Sequence, residues 1–363
     1  MIRISNPSIP LMVYDGLHIS SLVKLRDREI KLGEKVQTLP FGTQDNLLEA
    51  LSDNSCRYVL LGLPEDIGVR ANAGRGGAYS AWQPALNTLL NVQSNRFLSG
   101  EEILVLGHLD FSGLMLDARN LNVNNPDDLI LFRNLVQVID EAVSPIINAI
   151  IQSGKEAIII GGGHNNSYPN LRGAAQGLKA SGASATAQIN CINCDAHSDL
   201  RPTEGRHSGN GFSYAFNENW LHKYAMVGLH EIFNNASVID KILNEPRVQA
   251  SFFEDIFIRE KLTFAEAVNQ AIQFVGVDNY LGLELDLDTV QNIPASAKTS
   301  SGISTIDARK LVHEVASKCK VAYFHLAEAA PVLSHIKTDL KTGKLIAYLI
   351  TDYIKARNDW YSR

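Results

Sequence analysis

Short apolar runs alternate along this chain with stretches in which apolar residues recur every three or four positions. Runs at 57–64, 103–107, 157–160, 189–194, 224–229, 280–288 and 321–326 are dominated by Val, Ile, Leu and Tyr and read as buried strands. Between and around them, 79–91, 127–153, 168–180, 235–245, 263–275, 307–317 and 340–357 carry helical spacing. In 127–153 the positions Leu129, Leu131, Leu135, Val138, Ile139, Val143, Ile146, Ile147 and Ile150 form one stripe, which Gly154 ends. Strands apolar on both faces, alternating with amphipathic helices, predict an α/β fold whose mostly parallel sheet is covered on both sides. Residues 1–54 fall outside the alternation, with a short helix at 47–51. They read as an N-terminal extension of a single domain whose core is 55–357.

Polar side chains gather where these strands end, which is the edge at which open α/β sheets take their ligands. Asp195, His197 and Asp199 follow the run 189–194 at i, i+2 and i+4, and in an extended segment they share one face. Asp286 and Asp288 repeat the spacing at the end of 280–288. His164 follows Gly161-Gly162-Gly163, where glycines let the backbone turn sharply. Taken singly, each piece also fits a polar turn or a satisfied structural histidine. Together they bring two imidazoles and four carboxylates to a buried edge, which is costly without a compensating cation. Four negative charges match two divalent ions. Oxygen-rich, cysteine-free ligation favours a hard ion such as Mn²⁺ over zinc.

The 363 residues, 45% hydrophobic, are ample for one large core. A formal charge of −6 and the lack of a basic run exclude a general nucleic-acid partner. No apolar run long enough for a membrane span is read, and residues 1–7 lack a signal-peptide pattern. Four cysteines are too few for a disulfide scaffold, so a cytoplasmic setting is expected. Cys191 and Cys194 form a C-x-x-C inside an apolar run and read as buried packing. His108-x-Asp110 reads as structural. A Gly-rich loop at 66–78 carries Arg70, Asn72 and Arg75 but does not fit a phosphate-binding loop. A second loop, 200–217, is read as long and polar and holds Arg201, Ser208, Asn210 and Phe212. Run 224–229 ends at His230-Glu231, and Glu328 lies just past 321–326.

Gly-Gly-x-His, Asp-Ala-His-x-Asp and Asp-x-Asp in this order resemble the ureohydrolase superfamily of arginases, agmatinases, guanidinobutyrases and formimidoylglutamases, over roughly 57–355. The resemblance implies a three-layer α/β/α fold and two Mn²⁺ ions. His164 would hold one ion and His197 the other; Asp195, Asp199 and Asp286 would bridge or share them, and Asp288 would complete the second site. It also implies hydrolysis of a C–N bond in a linear amidine or guanidine. Asp199 would act as general acid–base, and Glu328 would receive the cationic substrate head. Arg70, Asn72, Arg75, Arg201, Ser208, Asn210 and Glu231 would contact substrate. The stretch 68–75, Gly163 in place of a common Asp, Arg201 and Phe212 are similar to formimidoylglutamases, which release formamide from N-formimidoyl-L-glutamate. Ser208-Gly209-Asn210 is closer to the arginase form, Glu284 replaces a common Ser, and Gln291-Asn292 replaces Asp-Pro. A urea-releasing guanidino hydrolase and a non-catalytic ligand-binding relative are the alternatives. Relatives of this kind are often trimers or hexamers, so a homo-oligomer is expected.

Overall fold

The computed structural model describes residues 9–40, 42–334 and 340–362; residues 1–7, read for a signal pattern, lie outside them. Among the described residues, nine strands form one sheet. They are β1 (Leu11–Val13), β2 (Tyr58–Gly62), β3 (Ile103–Leu109), β4 (Glu156–Ile160), β5 (Ile189–Cys194), β6 (Leu221–Leu229), β7 (Val248–Phe252), β8 (Tyr280–Asp286) and β9 (Lys320–Ala327). Their order is β1-β3-β2-β4-β9-β8-β5-β6-β7. Only β1 runs antiparallel, against β3. The fold is α/β in three layers, as the alternation predicts.

Side-chain parity builds the two faces. Tyr58, Leu60, Ile158 and Ile160 join the core under helices Trp82–Leu90, Phe264–Val275, Thr305–Lys318 and Leu340–Tyr361. Their neighbours Val59, Leu61, Ala157 and Ile159 join the core under Pro126–Gln152 and Ser167–Ala180. Cys194 belongs to the first face and Cys191 to the second. Three positions apart on a strand, the two thiols point opposite ways, and both are free and buried. Helix Pro126–Gln152 is long and apolar enough to cross a membrane by composition, contrary to the sequence reading. Of its stripe, Leu135, Ile139, Val143, Ile147 and Ile150 pack into the second core, joined there by Phe132 and Val136.

Several expectations need correction. Strands β1 and β7 carry no strong apolar run: β1 has three residues, and polar Gln249 and Ser251 interrupt β7. Loop 66–78 contains a helical turn, Ile67–Ala71, and loop 200–217 contains Ser208–Asn210 and helix Gly211–Asn217. β5 stops at Cys194 and β8 at Asp286, so neither acidic motif lies wholly in extended chain. The last helix runs on to Tyr361.

Candidate metal centre

Strands β4, β9, β8 and β5 are adjacent and parallel at the middle of the sheet, so their carboxyl ends open on one edge. Each delivers part of one cluster. After β4, Gly161 and Gly162 take φ of +89° and +76°, and His164 begins the turn into helix Ser167–Ala180. A Cβ at Gly163 would meet Asn165 Oδ1 and Val69 Cγ2 at 2.6 Å, so an Asp has no room there. Glu65, just past β2, pins this turn. Its Oε1 accepts from Gly163 N at 3.0 Å and from the amides of Asn165 and Asn166 at 3.1 and 2.6 Å.

After β5 the chain bends. Asp195 Oδ1 accepts from His197 N at 2.7 Å, and Asp195 Oδ2 from Asn193 Nδ2 at 3.1 Å. Asp199 takes φ of +50° and Glu328, past β9, takes +63°. Such non-glycine conformations cost energy and concentrate at functional sites. After β8, Asp288 sits on a short 3₁₀ turn, and its N–H donates to Asp286 Oδ1 at 2.8 Å. Bends and turns, rather than one extended face, therefore converge these side chains.

The six ligand candidates form two overlapping sets. His164 Nδ1 lies 3.1 Å from Asp195, 3.0 Å from Asp199 and 3.2 Å from Asp286. His197 Nδ1 lies 3.5 Å from Asp195 and 3.4 Å from Asp288. Asp195 belongs to both sets. The residues fit a pair of divalent cations on three counts. The oxygen and nitrogen atoms of each set lie within 4.8 Å of one another. His164 Nδ1 and Asp288 Oδ1 are buried with no hydrogen-bond partner, although both demand one. The donors are carboxylate and imidazole only, a hard set.

Electrostatics tell the same story. Burial alone would lower His164, yet Asp195, Asp199, Asp286 and Glu284 raise it well above the ordinary imidazole range. Burial likewise opposes the charge on His197, and Asp288 and Asp195 raise it well above that range. Burial and the nearby acids push Asp286 and Glu328 well up, and burial also raises Asp199 and Asp288. Asp195 resists burial and is held down by His164 and His197. Acids crowded in this way require positive charge among them.

Asp199, Asp286, Asp288, His197 and Glu328 face a cavity of about 290 Å³. Glu328 Oε1 also accepts from His164 N at 2.8 Å. Arg201, Asn72 and Ser208 line the cavity too: Arg201 Nη1 donates to Asn72 Oδ1 at 3.0 Å, and Asn72 Nδ2 to Ser208 Oγ at 3.2 Å. Four expected substrate contacts lie elsewhere. Arg70 donates to the Ala118 carbonyl and covers the Phe132 ring, so its guanidinium is spent on the scaffold. Arg75 donates to the carbonyls of Ala295 and Ser296, and so fixes a loop whose Ser296 lines the cavity. Asn210 is fully buried and spans Arg206, Pro202 and Gly205. Glu231 pairs with Arg259. A larger groove of about 1100 Å³, lined by Leu22, Val92, Tyr348 and Lys355 among others, touches none of the six.

The sequence names Phe212 and Glu284 without their packing roles, and gives no sign of Phe233, Arg206, Tyr323 or His325 as supports. Phe212 packs edge-on against the His164 ring at 5.4 Å, and Phe233 stacks on His197 at 5.3 Å. Arg206, paired with Asp140 at 2.8 Å inside the protein, donates to the Asn165 carbonyl. Glu284 accepts from Tyr323 and contacts His325 behind His164. Burial opposes the charge of Glu284, but His325 and His164 hold it down to about 2.

Known proteins supply the remaining comparison. The formimidoylglutamase of Streptococcus pyogenes is 28% identical over 282 residues, 76% of this chain and 77% of that protein. The crystal structure of formimidoylglutamase from Bacillus subtilis superposes with a TM-score of 0.67 at 17% identity, covering 92% of this chain and 94% of that one. Formiminoglutamase of Trypanosoma cruzi, crystallised with Mn²⁺, superposes with a TM-score of 0.65 at 18% identity, covering 90% and 98%. At those identities the two structures establish the likeness of fold. The model of the arginase family matches residues 57–354, a span that holds all four strand ends just described, and the chain belongs to that family.

Proposed function

We propose that this chain, a hydrolase of C–N bonds in linear amidines, converts N-formimidoyl-L-glutamate to L-glutamate and formamide, a step that fits histidine degradation in the cytoplasm. The observation that carries the substrate choice is the cavity lining. Acids sit at its floor, and Arg201 is the one Arg or Lys among its described lining residues. A substrate with a cationic head and an acidic tail matches that polarity. The curated relatives named formimidoylglutamase support the same reading.

His164, Asp195, Asp199 and Asp286 would hold one divalent cation, proposed as Mn²⁺, and Asp195, His197 and Asp288 the other. When bound, such a pair supplies hydroxide near neutral pH and stabilises developing negative charge. The chain's own groups do the rest. Glu328, buried and facing the cavity, receives the formimino cation and aims its planar carbon at the acids. Asp199 accepts the proton released on attack and returns it to the departing glutamate nitrogen, as general acid–base. Arg201, steadied by Asn72, binds a substrate carboxylate through charge-assisted hydrogen bonds.

Purified protein supplied with Mn²⁺ is expected to release formamide and glutamate from N-formimidoyl-L-glutamate, measured by glutamate production. Urea from arginine or agmatine, with no formamide, would overturn the substrate assignment and leave the hydrolase in place. Arg201→Ala is expected to raise KM about tenfold or more while kcat moves little, because it removes one charged hydrogen bond made equally in ground and transition states. An unchanged KM would remove Arg201 from substrate binding.

A further inference from the structure

Glu284 stands on β8 two residues before Asp286, fully buried; it does not line the cavity, and with His164 and His325 it forms a third cluster of nearby donor atoms. Its cross-strand partner in the β8–β9 register is His325. Both of its oxygens are pinned. Oε1 accepts from Tyr323 Oη at 2.8 Å, and Oε2 meets His325 Nδ1 at 2.6 Å. His325 Nε2 in turn reaches the Gly161 carbonyl at 3.1 Å, in the same turn that delivers His164. Gly282 makes this arrangement possible: a Cβ there would lie 2.4 Å from Tyr323 Oη and would displace the ring. Three residues on two strands thus fix a carboxylate behind the metal centre.

That carboxylate faces the rear of His164. Glu284 Oε2 lies 3.4 Å from His164 Nε2, whereas Asp195, Asp199 and Asp286 all gather at Nδ1. The contact is long for a hydrogen bond, but His164 Nε2 is buried with no hydrogen-bond partner, and Glu284 is the acceptor nearest to it among the described ion pairs. Among the described ion pairs, no other carboxylate approaches Nε2. A neutral imidazole carries its proton on one nitrogen only, and the acceptor behind a ligating histidine decides which.

We propose that Glu284 is a positioning residue of the metal centre: it holds the Nε2 proton of His164 and so presents the Nδ1 lone pair to the cation ringed by Asp195, Asp199 and Asp286, with Tyr323 and His325 keeping Glu284 in place. The inference rests on the two-cation reading given above. It also makes the two sites unequal, because among the described ion pairs the carboxylates near His197 all lie at Nδ1 and none at Nε2.

The test is Mn²⁺ binding, measured by competition with a chelator, for wild type, Glu284→Gln, Glu284→Ser and Tyr323→Phe, beside the melting temperature of each metal-free protein. Wild type is expected to bind two equivalents. Glu284→Ser is expected to weaken one equivalent by about 10–100-fold and leave the other unchanged. Glu284→Gln keeps an acceptor without the charge and should fall between; Tyr323→Phe should lose a few-fold at the same equivalent. A purely structural role would lower the melting temperature and leave both affinities alike. If Glu284→Ser does not fold, Glu284→Gln decides the matter. Two equivalents bound with wild-type affinity by folded Glu284→Gln overturn the inference. A wild-type chain that binds no Mn²⁺ overturns the metal centre itself, which is a separate result.

Discussion

Replacement of Asp288 by Ala is expected to cut turnover at least about a thousandfold, about 4 kcal/mol of transition-state stabilisation, and to remove one of two bound metal equivalents. Asp288 is buried, and its Oδ1 has no hydrogen-bond partner. Its other oxygen lies 3.4 Å from His197 Nδ1, in the set that His197 and Asp195 complete. With Asp288 gone, that set keeps one carboxylate, which the other set also uses. The fold should survive, because the acid removed has one buried oxygen without a partner and burial already opposes its charge. Metal content by elemental analysis, kcat on the amidine substrate and the circular dichroism spectrum separate the effects. Full turnover with two metal equivalents in folded Asp288→Ala would sink the binuclear reading.

The core strands and the six ligand candidates were legible because both are written locally. Buried parallel strands announce themselves as apolar runs, and the acids and imidazoles follow within a few residues of three strand ends. What the sequence conceals is direction. Spacing at i, i+2 and i+4 suggested one extended face for Asp195, His197 and Asp199, yet the chain bends and Asp199 is left-handed. Arg70 and Arg201 look alike as loop arginines. A helical turn at Ile67–Ala71 sends Arg70 to the Ala118 carbonyl, and only Arg201 reaches the cavity. Glu65, Arg206 and the Glu284–Tyr323–His325 group were invisible for a different reason. Their partners lie tens to hundreds of residues away: the β2–β4 pairing brings Glu65 to the His164 turn, the β8–β9 pairing assembles Glu284 with Tyr323 and His325, and Arg206 reaches Asn165 from the loop after β5. The short strands β1 and β7 lack the apolar run on which the reading depends.

At the opposite end of β4 from the metal centre, Arg357→Ala is expected to destabilise the fold by about 3–5 kcal/mol, a large share of a typical total of about 5–15 kcal/mol. Arg357 lies on the last helix, 1% exposed. Its Nε donates to Glu156 Oε1 and Oε2 at 2.9 and 3.1 Å, and its Nη2 to Oε1 at 2.6 Å. Nη1 holds the carbonyls of Ala316 and Cys319 at 3.1 and 2.8 Å, which closes the end of helix Thr305–Lys318. Tyr353 and Tyr361 each donate to Glu156 at 2.6 Å, and the guanidinium covers the Trp360 ring. This network ties two helices to the first residue of β4. Removal of the cation alone leaves Glu156 charged inside the protein and two carbonyls without a donor. The loss should therefore exceed that in the double variant Glu156→Leu/Arg357→Met, where no buried charge remains. Urea titration of metal-free protein measures both. The protein that stays folded should keep its kcat, because the network touches none of the six metal-ligand candidates. A single variant no less stable than the double would show that the helix is held by its apolar face, Ile346, Leu349, Ile350 and Ile354, rather than by the ion pair.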